Sequence, residues 1–206
     1  MADTADQVES FTSEAYAELI SALTGRGYSV RGYGEVDPAR PHLILRHDVD
    51  FDLAAAVRMA ELEAEHGWKS HYFVLVRTEF YNPFSAAGKA HVRRLRELGH
   101  VVGLHFDASV YPADPDAIRD GVTTECGLLE TVTGADVRLF SLHRPHQELL
   151  DHDLEVPGRI NTYSPAFFRD IGYCSDSAGV WRHGHPLDHP EVAKGHALQL
   201  LTHPIW

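Results

Sequence analysis

The chemistry in this chain is concentrated in short polar runs that interrupt apolar ones: His47-Asp48-Val49-Asp50, His105-Phe106-Asp107, Ser141-Leu142-His143-Arg144, Ser175-Asp176 and Thr202-His203. Asp48 and Asp50 are separated by one residue, so on a strand they project from the same side, while Leu43, Leu45, His47 and Val49 share the other. Two carboxylates held side by side resist ionising together unless a cation lies between them or a proton is shared. Fifteen histidines in 206 residues make a metal or acid–base centre the first possibility to weigh. Asp50 on its own could be no more than the cap of the next helix. The pair, and what the other strands add to it, favour a site.

Alternation puts Gly103, His105 and Asp107 on one face, opposite Val102, Leu104 and Phe106, whose bulk suits packing beneath helices. Ser141 and His143 share a face opposite Phe140 and Leu142. Gln199, Leu201 and His203 share one opposite Leu198 and Leu200. A single histidine in such a position is usually a satisfied core residue. Polar groups converging from four strands are harder to account for as packing.

The elements that must position these groups alternate regularly. Ala15, Leu19, Ile20 and Leu23 space a helix over Ser13 to Thr24, ended by Gly25 and Gly27. His42 to Asp50 reads as a strand, and Asp52 caps a helix carrying Leu53, Val57, Ala60 and Leu62, closed by Gly67. Strand His71–Val76, a helix with Val92, Leu95 and Leu98, strand Val101–Asp107, helix Pro115–Val132 and strand Val137–His143 follow. Ile160–Tyr163, Gly172–Ser175 and Ala197–His203 are further strands with little helix between them. Strands joined by helices imply βαβ crossovers and a mainly parallel sheet, either open and doubly wound or closed into a barrel. In both, function collects at the C-terminal ends of the strands.

Composition narrows the partners. The chain is 44% hydrophobic and 23% charged, the profile of a globular protein. Its 18 Lys+Arg against 30 Asp+Glu leave a formal charge of −12, which repels phosphate backbones and anionic lipid. Neither nucleic acid nor a membrane is therefore an expected partner. Cys126 and Cys174 form no CxxC pair or disulfide framework. The N-terminal MADTADQVES is acidic and polar, unlike a secretory signal, so a cytoplasmic setting is expected.

Five motifs then stand in a recognisable order: LRHDVD at 45–50, GHVVGLHFD at 99–107, LHRP at 142–145, CSDSAGVW at 174–181 and LLTHP at 200–204. On these residues the chain resembles the polysaccharide deacetylases, the NodB-like carbohydrate esterases, and more closely a branch carrying HDVD. The resemblance implies an α/β fold, a distorted (β/α) barrel of about seven parallel strands. It spans residues 41–206, with 1–40 a helical and stranded extension of the same domain. It implies a metal-dependent hydrolase removing an N- or O-acyl group, such as acetyl, from a sugar or sugar precursor. Asp48 matches the catalytic base, Arg144 the arginine that pairs with it, and His203 the catalytic acid. Asp50 and His105 match metal ligands, and Asp176 and Trp181 fall in the fourth motif, on the substrate side, where Asp176 could also orient Arg144 or His203. The histidine that the family places four residues after the first is Ser109 here, and the aspartates are spaced DxD. The third ligand is then His143 or Asp107. His143 is preferred because neutral imidazole suits zinc, with Asp107 otherwise substrate-facing. The expected cofactor is a divalent ion, zinc first, with cobalt, nickel and manganese as alternatives. The expected partner is a small carbohydrate or nucleotide sugar, and a homo-oligomer would cover the edge of the closing strand.

Two other readings compete. A non-catalytic sugar-binding barrel could have dropped the ion, for which Ser109 is the best support. A metal-dependent C–N hydrolase could act on a substrate that is not a sugar. His183, His185 and His189 resemble a short metal-binding tract but are spaced like a loop. Glu61, Glu63 and Glu65 read as a solvated helix face, and Tyr81-Asn82-Pro83-Phe84 as turn chemistry.

Overall fold

The computed structural model describes residues 11–145, 149, 153–182 and 184–205. Helix α1 (Ser13–Gly25) starts at Thr12, whose hydroxyl accepts the Ala15 N–H, and it buries Leu19, Ile20 and Leu23. The strands are β1 (Ser29–Val30), β2 (His42–Val49), β3 (His71–Leu75), β4 (Val101–Asp107), β5 (Leu139–His143), β6 (Ile160–Asn161), β7 (Gly172–Ser175) and β8 (Leu198–Thr202). Between them run α2 (Leu53–Glu65), α3 (Ala86–Glu97), α4 (Pro115–Thr133) and two short helices, α5 (Pro165–Phe168) and α6 (Pro190–Lys194). Among the described residues no helix is long and apolar enough to cross a membrane.

Every strand pairing is parallel, in the order β6-β5-β4-β3-β2-β8-β7, with β1 beside the start of β2. The seven strands of that path curl into a half-barrel with helices outside, which decides between the two closures in favour of the distorted barrel. The last strand inserts next to β2, pairing Leu43 with Leu198 and His47 with Thr202. That brings His203 beside the aspartate pair. Observed strand ends differ from the hydrophobic pattern by a residue or two because a ladder stops where its neighbour does. Val49–Val74 is the last pair between β2 and β3, so Asp50 lies just past the sheet.

The two faces of the sheet are both covered, as parallel sheets require. Outside, Leu104, Phe106, Phe140 and Leu142 pack with Ala56, Val92, Ile118 and Leu129 of the helices. Leu43, Leu45, Leu198 and Leu200 pack with α1. Inside, Tyr33, Ile44, Phe73, Leu139 and Ile171 form an apolar floor. Each such side chain contributes ~1.5–3 kcal/mol by leaving water. Gly103 makes room for this floor: a Cβ there would stand 2.5 Å from a Phe73 ring carbon and 3.0 Å from the Leu139 carbonyl oxygen.

One expectation is reversed on α2. Glu61 pairs with Arg94 at the surface and Glu65 is exposed, but Glu63 is fully buried. Helix geometry explains the difference, since residues two apart do not share a face, whereas Ala56, Ala60 and Glu63 fall on one stripe. The Glu63 carboxylate accepts from Tyr16 Oη at 2.6 Å, Ser70 Oγ at 2.5 Å and Tyr72 Oη at 2.6 Å, and meets His47 Nε2 at 2.9 Å. His47 Nδ1 in turn meets Thr202 Oγ1 at 2.7 Å. One carboxylate thus ties α1 and α2 to β2 and β3, and through His47 to β8. Burial would push its pKa up, but His47 and the hydroxyl donors outweigh that and bring it down to about 2.

Because the folded value lies below the ordinary 4.5, this carboxylate stabilises the fold fully above that pH and ceases to as pH falls through about 2. Urea unfolding followed from pH 7 downward should therefore show stability dropping across that window. Glu63→Gln should flatten the drop and cost ~3 kcal/mol at neutral pH. A Glu63→Gln protein as stable as the parent at pH 7 would contradict this role.

Candidate metal centre

Three side chains from three strands meet at the C-terminal ends of the sheet. Asp50 Oδ1, just past β2, lies 3.1 Å from His105 Nε2 and 3.4 Å from His143 Nδ1. The two imidazole nitrogens are 3.0 Å apart, their rings near perpendicular at 73°. Donor atoms each ~2.0–2.2 Å from a shared zinc-like ion stand ~2.9–3.5 Å from one another in tetrahedral or octahedral arrangements, so the spacing suits a divalent cation. Among the described residues, this is the only group of three or more His, Cys, Asp or Glu side chains whose ligand atoms gather so closely. Asp50 Oδ1 is buried and completes no hydrogen bond, despite the nearby nitrogens. A buried anionic oxygen in that condition is costly unless a cation meets it. The residues present therefore fit a metal ion.

The hydrogen-bond chain behind His105 fixes which nitrogen it offers. Ser141 Oγ is 2.6 Å from His105 Nδ1 and donates to Asp48 Oδ1 at 3.4 Å. A serine hydroxyl has one proton, so, having given it to Asp48, Ser141 accepts from Nδ1–H. The lone pair of Nε2 is left facing the triad, the tautomer a metal ligand needs.

Asp48 is held differently. Arg46, two residues earlier on the same face of β2, donates from Nε to Oδ1 at 3.0 Å and from Nη2 to Oδ2 at 2.8 Å. The guanidinium is fully buried between the rings of Phe73 and Tyr163, 5.5 and 4.6 Å from their centroids. Burial raises the Asp48 pKa, but Arg46, then His105 and His203, prevail and hold it below the usual carboxylate range. His203 projects from the end of β8. Its Nδ1 meets Asp176 Oδ1 at 2.6 Å, its backbone N–H donates to Asp176 Oδ2 at 2.9 Å, and its Nε2 is 3.9 Å from Asp50 Oδ2. Burial lowers the imidazole pKa, yet the carboxylates of Asp176, Asp48 and Asp50 carry it above its ordinary value.

Several expected roles change. Arg144 does not reach Asp48; its Nη2 donates to Asp107 Oδ2 at 2.5 Å, and Arg46 is the arginine on Asp48. The same alternation that pairs Asp48 with Asp50 pairs Arg46 with both, so this signal was present in the sequence. Asp107 is occupied by Arg144 and, on Oδ1, by the Ser109 N–H and hydroxyl at 3.0 and 2.6 Å, and it is outside the cluster of ligand atoms. Both oxygens of Asp176 serve His203, so it orients that imidazole. Trp181 packs on Phe11 at 5.4 Å and, with Asp176 and His203, lines a cleft. His185 Nδ1 accepts the Leu187 N–H and His189 Nδ1 the Glu191 N–H, both as helix caps, while His183 lies outside the described residues. Tyr81 goes beyond turn chemistry: its hydroxyl donates to the Val49 carbonyl at 2.6 Å and accepts the Leu75 N–H at 2.8 Å, fixing the loop after β3 to the tip of β2.

No family model and no curated protein matches the chain. Among solved structures, a Streptococcus pyogenes deacetylase, PplD, in complex with acetate is similar at a TM-score of 0.52 and 12% identity, over 92% of this chain and 80% of that one. A family 4 carbohydrate esterase from Bacillus anthracis has a TM-score of 0.47 at 16% identity, over 93% of this chain and 78% of that one. A family 4 acetyl xylan esterase from Clostridium thermocellum, in complex with a cobalt ion, has a TM-score of 0.47 at 16% identity, over 79% and 74%. The likeness to the streptococcal deacetylase is one of fold, and it agrees with the barrel that the motif order implied.

Removing Arg46 should expose its electrostatic role. Arg46→Met leaves a buried carboxylate unpaired and should cost ~3–5 kcal/mol in urea unfolding, whereas Arg46→Met with Asp48→Asn should cost clearly less. Equal losses in the single and double variants would mean that packing between Phe73 and Tyr163, and no ion pair, is what Arg46 supplies.

Proposed function

We propose that this protein is a divalent-metal-dependent hydrolase that removes an N- or O-acyl group from a small carbohydrate, with zinc the first-choice ion. The observation that carries the reading is the Asp50–His105–His143 cluster, flanked by an arginine-bound carboxylate on one side and a carboxylate-bound imidazole on the other. A bound ion would supply Lewis acidity for the acyl oxygen and lower the pKa of a water from ~15.7 towards ~7. The chain's own groups are set for the two proton transfers that acyl hydrolysis needs. Asp48, kept ionised by Arg46, accepts a proton as water attacks the acyl carbon. His203, whose protonated form Asp176 favours, delivers one to the departing amine or alkoxide. Ser141 holds His105 in the ligating tautomer while it touches the base, so ligand and base are aligned by one hydroxyl. Phe51 and Phe80, 38% and 66% exposed with ring centroids 4.7 Å apart, give the rim beside Asp50 an apolar edge.

Asp50→Ala and His105→Ala should each lower the zinc content of purified protein, measured by elemental analysis. Ser141→Ala should weaken zinc binding by about 10–100-fold in a chelator competition. Asp48→Asn should retain the metal and slow acetate release from N-acetylated sugars by about 10²–10⁴-fold. Full metal content in both ligand variants would end the reading, and a fully active Asp48→Asn protein would remove Asp48 as the base.

A further inference from the structure

A cleft of about 820 Å³ opens beside the metal centre. It lies between α1, α2 and the segment around Trp181 that follows β7, and His203 and Asp176 belong to its wall. His203 is thus shared: its Nε2 is 3.9 Å from Asp50 Oδ2 of the triad, and the residue lines the cleft. Under the acyl-hydrolase reading above, on which this assignment rests, the acyl carbon reacts at the triad and the leaving atom takes its proton from His203. Whatever is bonded to that atom must extend into space that His203 borders.

We propose that this cleft binds the leaving portion of the substrate, and that its occupant is an amine- or hydroxyl-bearing mono- or disaccharide that carries no phosphate. Its volume falls in the range of pockets for compact ligands, ~300–1,000 Å³, and not of an extended polymer track. Its walls are built rather than incidental. Tyr16 is fixed by its hydroxyl bond to the buried Glu63 at 2.6 Å, and Trp181 is backed by Phe11 at 5.4 Å, so two aromatic side chains are held in place. Ala15 on α1 and Ala55 on α2 keep the helices' cleft surfaces shallow. The cations are already matched. Arg58 leans on Asp52 at 3.9 Å and His203 is bound to Asp176, while Glu18 adds a further carboxylate to the lining. Such a lining offers a diphosphate no unmatched guanidinium or ammonium, and its extra carboxylate favours the ammonium that amide hydrolysis leaves behind. This argues against a nucleotide sugar as substrate. It also gives α1, which precedes every motif, a share in substrate choice.

The test uses full-length, zinc-loaded protein and substitutions that fill the cleft without touching the centre, Ala15→Trp and Ala55→Trp. Each should keep its zinc content and its hydrolysis of 4-nitrophenyl acetate, a probe too small to need the cleft. Each should lose about tenfold or more in kcat/KM for N,N′-diacetylchitobiose. The parent protein should prefer N-acetylglucosamine or diacetylchitobiose to UDP-N-acetylglucosamine and to a long N-acetylated polymer, by about tenfold or more in kcat/KM. Unchanged sugar hydrolysis in both filled variants, or a preference for the nucleotide sugar or the polymer, overturns the cleft assignment and leaves the acyl-hydrolase reading standing. Failure of the parent protein to hydrolyse 4-nitrophenyl acetate as well as the sugars overturns both.

Discussion

A carboxylate taken out of water needs a counter-charge or a full set of donors, because its desolvation costs several kcal/mol. Three carboxylates of this protein lie close around β2; two meet the requirement from the chain's own groups and the third does not. Glu63 collects three hydroxyls and an imidazole, Asp48 takes both arms of a buried guanidinium, and Asp50 has two imidazole nitrogens near an oxygen that completes no hydrogen bond. The first arrangement closes on itself and holds helices to the sheet. The second holds its carboxyl below the usual carboxylate range. The third leaves a negative oxygen, the His105 lone pair and the His143 Nδ1 gathered at one point, and it is the one that calls for a cation.

The architecture makes those differences possible. A parallel sheet delivers every strand's C-terminal end to the same rim, so residues 50, 105, 143 and 203 meet although they are far apart in sequence. Inserting β8 beside β2 places the imidazole of His203 within reach of both aspartates' field. The apolar floor under the rim keeps the Arg46–Asp48 pair dry, which strengthens its attraction and raises the cost of losing either partner. Asp48 and His203 are therefore carried on a strand or immediately beyond one, where packing limits their movement. The helices contribute at a distance: Tyr16 of α1 and Glu63 of α2 brace the outside of the same strand whose inner face carries Arg46 and Asp48.

Sequence alone was enough for the parallel α/β order, the strand faces and the gathering of polar groups at one rim, because alternation and hydrophobic period are local properties of the backbone. Asp50 and His105 were singled out by the family resemblance, with His143 preferred to Asp107 beside them. Sequence was also enough, in principle, for two features first read otherwise. Arg46 shares its face with Asp48, and Glu63 lies on the buried stripe with Ala56 and Ala60, away from Glu61 and Glu65. What periodicity does not carry is the choice of partner across space. That Arg144 reaches Asp107 and not Asp48, that Ser109 closes on Asp107 instead of supplying a ligand, that Asp176 turns both oxygens to His203, and that α1 walls a cleft were decided only when distant strands came into register. Side-chain contacts between remote segments depend on strand order and curvature, and those are set by the packing of the whole sheet rather than by any window of residues.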